Sequence, residues 1–194
     1  MTGRQYTLLL QTFPCMKKIN TSRLVLKAMS FSDCDNLRLI LGDPETAWWC
    51  DSFVLDDCKL IEYFIHKGNM SRDSRQYGIY EKGSDTVIGL IQVYIRENEN
   101  ERELGYVLSK DHRGKGYMTE VVKAVCNRIF YNPEVEAVAL RVLPNNLPSQ
   151  AVARKAGFVL EPQKEWEKDT SFLDSLPMDR LVLTRKRHLS NKAA

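Results

Sequence analysis

Between a stretch that reads as a β-strand, Glu103–Ser109, and one that reads as a helix lies the run His112-Arg113-Gly114-Lys115-Gly116-Tyr117-Met118. This junction constrains the fold more than any other segment. The first turn of a helix carries N–H groups with no intrahelical partner, and the aligned peptide dipoles make that end partly positive. Glycines let an anion approach the backbone, and Arg113 and Lys115 add charge. A pyrophosphate suits such a place; a plain tight turn is the alternative. The run is not GxxxxGK[ST], which excludes a P-loop. It lacks a third glycine at Rossmann spacing, and its strand sits in a meander rather than a βαβ unit.

The meander is legible from composition and turns. Gln76–Glu81 reads as a strand, Lys82-Gly83-Ser84-Asp85 as a turn, and Thr86–Ile95 as a second strand rich in β-branched residues. The polar run Arg96–Arg102 is a further turn, and Glu103–Ser109 the third strand. After the glycines, Met118, Val121, Val122, Val125 and Ile129 recur at helical spacing and form one buried stripe. Asn132-Pro133 ends that helix, and Val135–Leu143 is strand-like. Asn146 is a good N-cap for a helix that tolerates Pro148 in its first turn and stops at Gly157. Phe158–Leu160 and Arg180–Arg185 close the pattern as strands. Upstream, Leu24–Lys27 is a short strand. Ser32 or Asp33 opens a helix to about Leu41, and Asp56 or Asp57 opens another that ends near Gly68. This order predicts an α/β (α+β) layered fold.

The chain has 194 residues, enough for one domain and cramped for two. A net charge of +3 is too small to point to a nucleic-acid partner. Five cysteines, an odd number with no CxxC pair, argue against a disulfide framework and a zinc site, and a reducing cytoplasm fits them. No metal triad is visible among His66, His112 and His188. No apolar run reaches the length of a membrane span, and Leu8-Leu9-Leu10 is too short for a signal peptide. Met16, just before Lys17-Lys18-Ile19, sets residues 1–16 apart as a flexible extension, either a dispensable arm or the result of an upstream start.

Three segments together resemble a known family. Glu103-Leu104-Gly105-Tyr106-Val107-Leu108, followed by Arg113-Gly114-Lys115-Gly116-Tyr117-Met118-Thr119-Glu120, resembles the acetyl-CoA motif of the GNAT N-acetyltransferase superfamily. Asn146-Leu147-Pro148-Ser149-Gln150-Ala151, ending in Lys155-Ala156-Gly157-Phe158, is similar to that family's second signature. Thr21-Ser22-Arg23-Leu24-Val25-Leu26 resembles the start of its RimJ/RimL branch, which includes ribosomal-protein N-terminal acetyltransferases. One departure stands out: Met118 occupies the last position of the loop motif, where the family usually has a small residue.

The resemblance implies the GNAT fold, a mixed central sheet with splayed strands flanked by helices. It spans residues 17–187 as the domain, with 188–194 as a solvated basic tail. It implies acetyl-CoA as cosubstrate, no metal, and a primary amine as acceptor. The strand before the loop would carry a bulge and splay from its parallel neighbour. The backbone of Tyr106, Val107 and Leu108 would pair with pantetheine, and the N–H of Val107 or Leu108 would polarise the thioester carbonyl. Arg113 and the N–H groups of Gly114, Lys115, Gly116, Tyr117, Met118 and Thr119 would hold the pyrophosphate, and Asn146 the CoA arm.

An alkylamine with a pKa of about 10.4 must lose a proton before it can attack. Glu103 is the candidate base; its dull role is to pair with a basic residue or orient a neighbour. Many relatives place a tyrosine after the Asn-capped helix as the acid, but this chain has no tyrosine beyond Tyr131. Ser149 takes the matching place in the RimJ/RimL branch; its dull role is a helix-capping hydroxyl. Trp48, Trp49, Trp166 and Phe172 are candidates for the acceptor wall, and Cys126 is a small buried residue. The acceptor is a peptide N-terminus or a small amine such as a polyamine or aminoglycoside. A non-catalytic acyl-CoA sensor is the competing reading, and a homodimer is allowed.

Overall fold

The computed structural model describes residues 18–49, 57–71, 74–95, 100–161 and 178–193. The 1–16 extension, Trp166, Phe172 and most of the turn after Ile95 lie outside the described residues.

Among the described residues there are eight strands: β1 Ile19–Asn20, β2 Leu24–Lys27, β3 Ser74–Glu81, β4 Val87–Ile95, β5 Glu101–Leu108, β6 Ala137–Val142, β7 Val159–Leu160 and β8 Asp179–Thr184. They form one sheet in the order β1-β2-β3-β4-β5-β6-β8-β7. The helices are α1 Cys34–Leu41, α2 Pro44–Trp49, α3 Cys58–Met70, α4 Tyr117–Ile129, α5 Leu147–Lys155 and α6 Arg185–Ala193. Neighbouring strands are antiparallel except β5 and β6, which are parallel.

The sheet is covered on both faces, because side chains alternate along each strand. On one face Ile79, Ile91, Leu104, Leu140 and Leu183 pack with the α4 stripe Met118, Val121, Val122, Val125 and Ile129. Each such side chain contributes about 1.5–3 kcal/mol when fully buried. On the other face Tyr80, Leu90 and Val107 pack with Leu37 and Ile40 of α1 and Ile61 and Ile65 of α3.

The pairing of β5 with β6 covers only Glu101–Glu103 against Ala137–Ala139. Beyond Glu103, β5 runs on to Leu108 paired with β4 alone. This is the expected splay. The expected bulge on β5 is not there: its register with β4 is constant from Arg102 to Leu108. The register shift falls instead between Ile79 and Tyr80 in the β3–β4 pairing.

Several boundaries differ from the sequence reading, and three of the differences have a structural reason. The third meander strand begins at Glu101, two residues early, where β6 supplies a partner. Helix α3 passes through Gly68 to Met70. A Cβ at Gly68 would overlap the buried Gln76 amide, so this glycine makes room inside a helix instead of ending it. The basic end is not a solvated tail. It folds as α6, and His188 is buried with its ring stacked on Phe130 at 4.7 Å. Arg185 anchors this helix by donating to the carbonyls of Phe130 at 3.0 Å and Val135 at 2.9 Å. Those bonds serve carbonyls at and beyond the end of α4, which lack helical partners.

Candidate active site

The glycine loop lies where β5 ends and α4 begins. Gly114 and Gly116 both have φ of +76°, a conformation that L side chains rarely adopt. Gly116 is the N-cap of α4, and no side chain among the described residues caps that end. Among the described residues a Cβ at Gly114 would meet nothing within 4 Å, and one at Gly116 only the Arg23 guanidinium at 3.6 Å. The N-terminus of a 13-residue helix therefore opens onto free space beside two glycines. That arrangement fits a phosphate group.

The charges of the loop are not all free for a ligand. Arg113 donates from Nε to the Leu108 carbonyl at 3.1 Å and from its guanidinium to Thr46 Oγ1 at 3.0 Å. It ties the loop to α2 and to the end of β5. Lys110 pairs with Asp43 at 2.8 Å and Glu45 at 3.0 Å. Its hydrogen bond, then those from Thr46, hold the Asp43 carboxyl down at about 2. Lys115 is exposed. The Met118 side chain is buried in the core, so only its backbone belongs to the loop. Tyr117 donates to Glu81 at 2.6 Å and fixes the start of α4 on β3, while Thr119 follows half-buried in the first turn.

The strand leading to the loop has one committed edge and one open edge. Ser109 donates its N–H to the Ile88 carbonyl at 2.8 Å. Backbone groups alternate along an antiparallel ladder. Val107, in register with Leu90, therefore points its N–H and carbonyl at β4. Tyr106 and Leu108 point theirs at the side that β6 has left. The Leu108 carbonyl is taken by Arg113. The Leu108 N–H and both Tyr106 groups face the gap.

Two side-chain pairs flank this gap on opposite faces of the sheet. On the α4 face, the Tyr106 hydroxyl lies 2.9 Å from Ser149 Oγ in the first turn of α5. Burial pushes the Tyr106 phenol up to about 12, against the lowering by the Ser149 bond. The helix cap is supplied by Asn146, whose Oδ1 accepts the Ser149 N–H at 3.1 Å. The Ser149 hydroxyl is thus engaged with Tyr106 while Asn146 serves as the cap. On the other face, Glu103 accepts from Arg141 Nε at 3.2 Å. The dull role weighed for Glu103, pairing with a basic residue, is present in the structure.

Residues 23–159 match the family model of the acetyltransferase (GNAT) domain. The chain belongs to the GNAT acetyltransferase family. It is 28% identical to an N-acetyltransferase of Bacillus licheniformis known as p20 and of uncharacterised role, over 75% of this chain and 84% of that one. A Vibrio cholerae protein assigned as a ribosomal-protein-serine acetyltransferase superposes with a TM-score of 0.72 at 19% identity, covering 89% of this chain and 99% of that chain. Spermidine N-acetyltransferase from Vibrio cholerae, in complex with CoA and spermine, superposes with a TM-score of 0.71 at 17% identity, covering 87% and 99%. At such identities these two likenesses speak for the fold.

This GNAT domain is an acyltransferase, and the structure sorts its residues accordingly. Gly114, Lys115, Gly116, Tyr117, Met118 and Thr119 lie together at the head of α4. Tyr106 and Ser149 meet; Glu103 stands on the opposite face with Arg141. Trp48 is 64% exposed and Trp49 half-buried at the end of α2. Cys126 is fully buried, which pushes its thiol up and leaves it no nucleophile. Among the described residues no helix is long and apolar enough to cross a membrane, and no three metal-binding side chains cluster. The sequence reading missed the bonds of Ser22 and Arg23 to Glu120, each 2.8 Å. All three residues lie within its motifs, but the motifs do not show that they touch.

Proposed function

We propose that this GNAT enzyme transfers the acetyl group of acetyl-CoA directly to a primary amine, and that the amine is the N-terminus of a peptide or protein. The observation that carries this reading is the geometry of β5. Its free backbone edge leads straight to an uncapped helix end framed by two left-handed glycines. An elongated ligand with an anionic middle fits that path.

Acetyl-CoA supplies the activated acetyl group when bound. The chain supplies position and proton handling. N–H groups from Gly114 to Thr119 take the pyrophosphate. The Leu108 N–H, rather than that of Val107, is turned to the gap and serves as donor to the thioester carbonyl. Tyr106 backbone groups pair with the pantetheine arm, and Asn146 keeps its amide nitrogen for it. Glu103 accepts the proton of the incoming ammonium, directly or through water. The Ser149 hydroxyl gives a hydrogen bond or proton to the departing thiolate.

The choice of acceptor rests on charge. A polyamine or aminoglycoside calls for an acidic channel. Both carboxylates that β5 presents on this face are matched by arginines. Glu101 is held by Arg180 at 2.6–2.7 Å and Glu103 by Arg141. A singly charged terminal amine suits such a balanced floor, and the opening Thr21–Leu26 resembles the branch that acts on protein N-termini. The test is a panel of N-terminal peptides, spermidine and an aminoglycoside with acetyl-CoA, read by mass spectrometry. Acetylation at the peptide α-amine is expected. Turnover confined to spermidine or the aminoglycoside would refute the acceptor choice. Binding of acetyl-CoA with no turnover on any amine would favour the sensor reading.

A further inference from the structure

The turn between β1 and β2 reaches the glycine loop through the Arg23 side chain. Arg23 lies just before β2. Its backbone N–H donates to Glu120 Oε1 at 2.8 Å and its Nε to Glu120 Oε2 at 2.8 Å. Its Nη1 donates to the Lys115 carbonyl at 2.9 Å. The guanidinium also lies 4.6 Å from the centre of the Tyr117 ring. Ser22 adds a third bond to Glu120, again at 2.8 Å. Residues 22 and 23 thus grip both the loop and the first turn of α4.

We propose that the Arg23–Glu120 latch sets the peptide planes of the Lys115–Gly116–Tyr117 segment, so that the turn between β1 and β2 is a working part of the pyrophosphate site. The inference rests on the CoA reading above. A trans peptide is planar and puts a carbonyl and the following N–H on opposite sides; no peptide here is cis. By drawing the Lys115 carbonyl to itself, Arg23 turns the Gly116 N–H the other way. The Gly116 carbonyl is likewise held by the Glu120 N–H at 3.1 Å, which turns the Tyr117 N–H away from the helix body. Glycine at φ +76° has many alternatives to this conformation, and the latch selects one. It also solves a problem of charge. A carboxylate in the first turn of α4 stands near the proposed anion, and Arg23 neutralises it.

The experiment compares ligands with and without the pyrophosphate. Wild type, Arg23→Gln and Glu120→Gln are titrated with CoA by calorimetry and with pantetheine by NMR. Hydrogen exchange at the Arg23 and Gly116 amides is followed with and without CoA. The expected result is that CoA binds wild type and slows exchange at both amides. Each substitution then weakens CoA by about ten-fold or more, the scale of a lost charged hydrogen bond, while pantetheine binding is unchanged. Unchanged CoA affinity in both variants overturns the latch. So does an equal loss for CoA and pantetheine, which marks a general structural role. If wild type itself does not prefer CoA to pantetheine, the pyrophosphate reading falls and the latch with it.

Discussion

The phenol of Tyr106 and the hydroxyl of Ser149 stand 2.9 Å apart, joining β5 to the first turn of α5 beside the gap between β5 and β6. With its phenol pushed up to about 12 by burial, Tyr106 remains a hydrogen-bond donor throughout the physiological range. When the Tyr106 proton goes to Ser149 Oγ at 2.9 Å, and not to the Ser149 carbonyl at 3.3 Å, the serine's own proton is free for the gap. Tyr106→Phe keeps the ring and removes the donor. It is expected to lower kcat by about ten-fold with little change in KM for acetyl-CoA, since acid–base contributions start near a hundred-fold and this group acts through another. The effects of Tyr106→Phe and Ser149→Ala should overlap and not add, because the two act as one unit. Steady-state kinetics of the single and double variants check this. A wild-type kcat in Tyr106→Phe would contradict it.

Glu103 is tested through pH. Glu103→Gln should slow single-turnover transfer by about a hundred-fold near neutrality. The deficit should shrink as pH rises through the α-amine's own pKa of about 8, where the acceptor loses its proton unaided. A deficit independent of pH would make Glu103 only a partner for Arg141.

Gly116→Ala tests the cradle without changing charge. Its Cβ has room, since the nearest atom among the described residues is Arg23 Nη2 at 3.6 Å, so the cost comes from φ of +76°. That conformation costs an L residue about 1–2 kcal/mol. Urea unfolding should show a loss of that size, together with weaker CoA binding as the loop relaxes. Unchanged stability and unchanged CoA affinity would show that the positive φ is dispensable.

His188 makes stability depend on pH. Burial, then the charges of Lys192 and Arg185, lowers its pKa below the ordinary 6.5. The unfolded chain therefore takes up this proton first as pH falls. Stability should be full above about 6.5 and decline below it, until the folded state also protonates. His188→Phe keeps a ring beside Phe130 and should flatten that slope in Tm measured from pH 7.5 to 5.5. An unchanged slope would assign the dependence to other groups.

Much of the fold was legible because local chemistry agreed with it. The Met118–Ile129 stripe, the Asn146 cap and Gly157 at φ +97° each follow from one short stretch of chain. What escaped depends on partners far away in sequence. Gly68 reads as a helix end until Gln76 is seen to occupy its Cβ space. Arg113 reads as a ligand-binding charge until Thr46 and Leu108 are found to hold it. Arg23 and Glu120 are 97 residues apart, and nothing in their spacing announces a bond. The basic end reads as solvated because its one buried ring, His188, is a residue type common on surfaces.

Thermal unfolding of wild type and Gly116→Glu with acetyl-CoA, CoA, ATP or no ligand tests the cradle most directly. A ligand that binds only the folded state raises Tm. The expected result is a clear rise with acetyl-CoA and CoA, a much smaller one with ATP, and none in Gly116→Glu, whose carboxylate enters the phosphate space. No shift of wild type at millimolar acetyl-CoA, or an equal shift in Gly116→Glu, would contradict a pyrophosphate site at the head of α4.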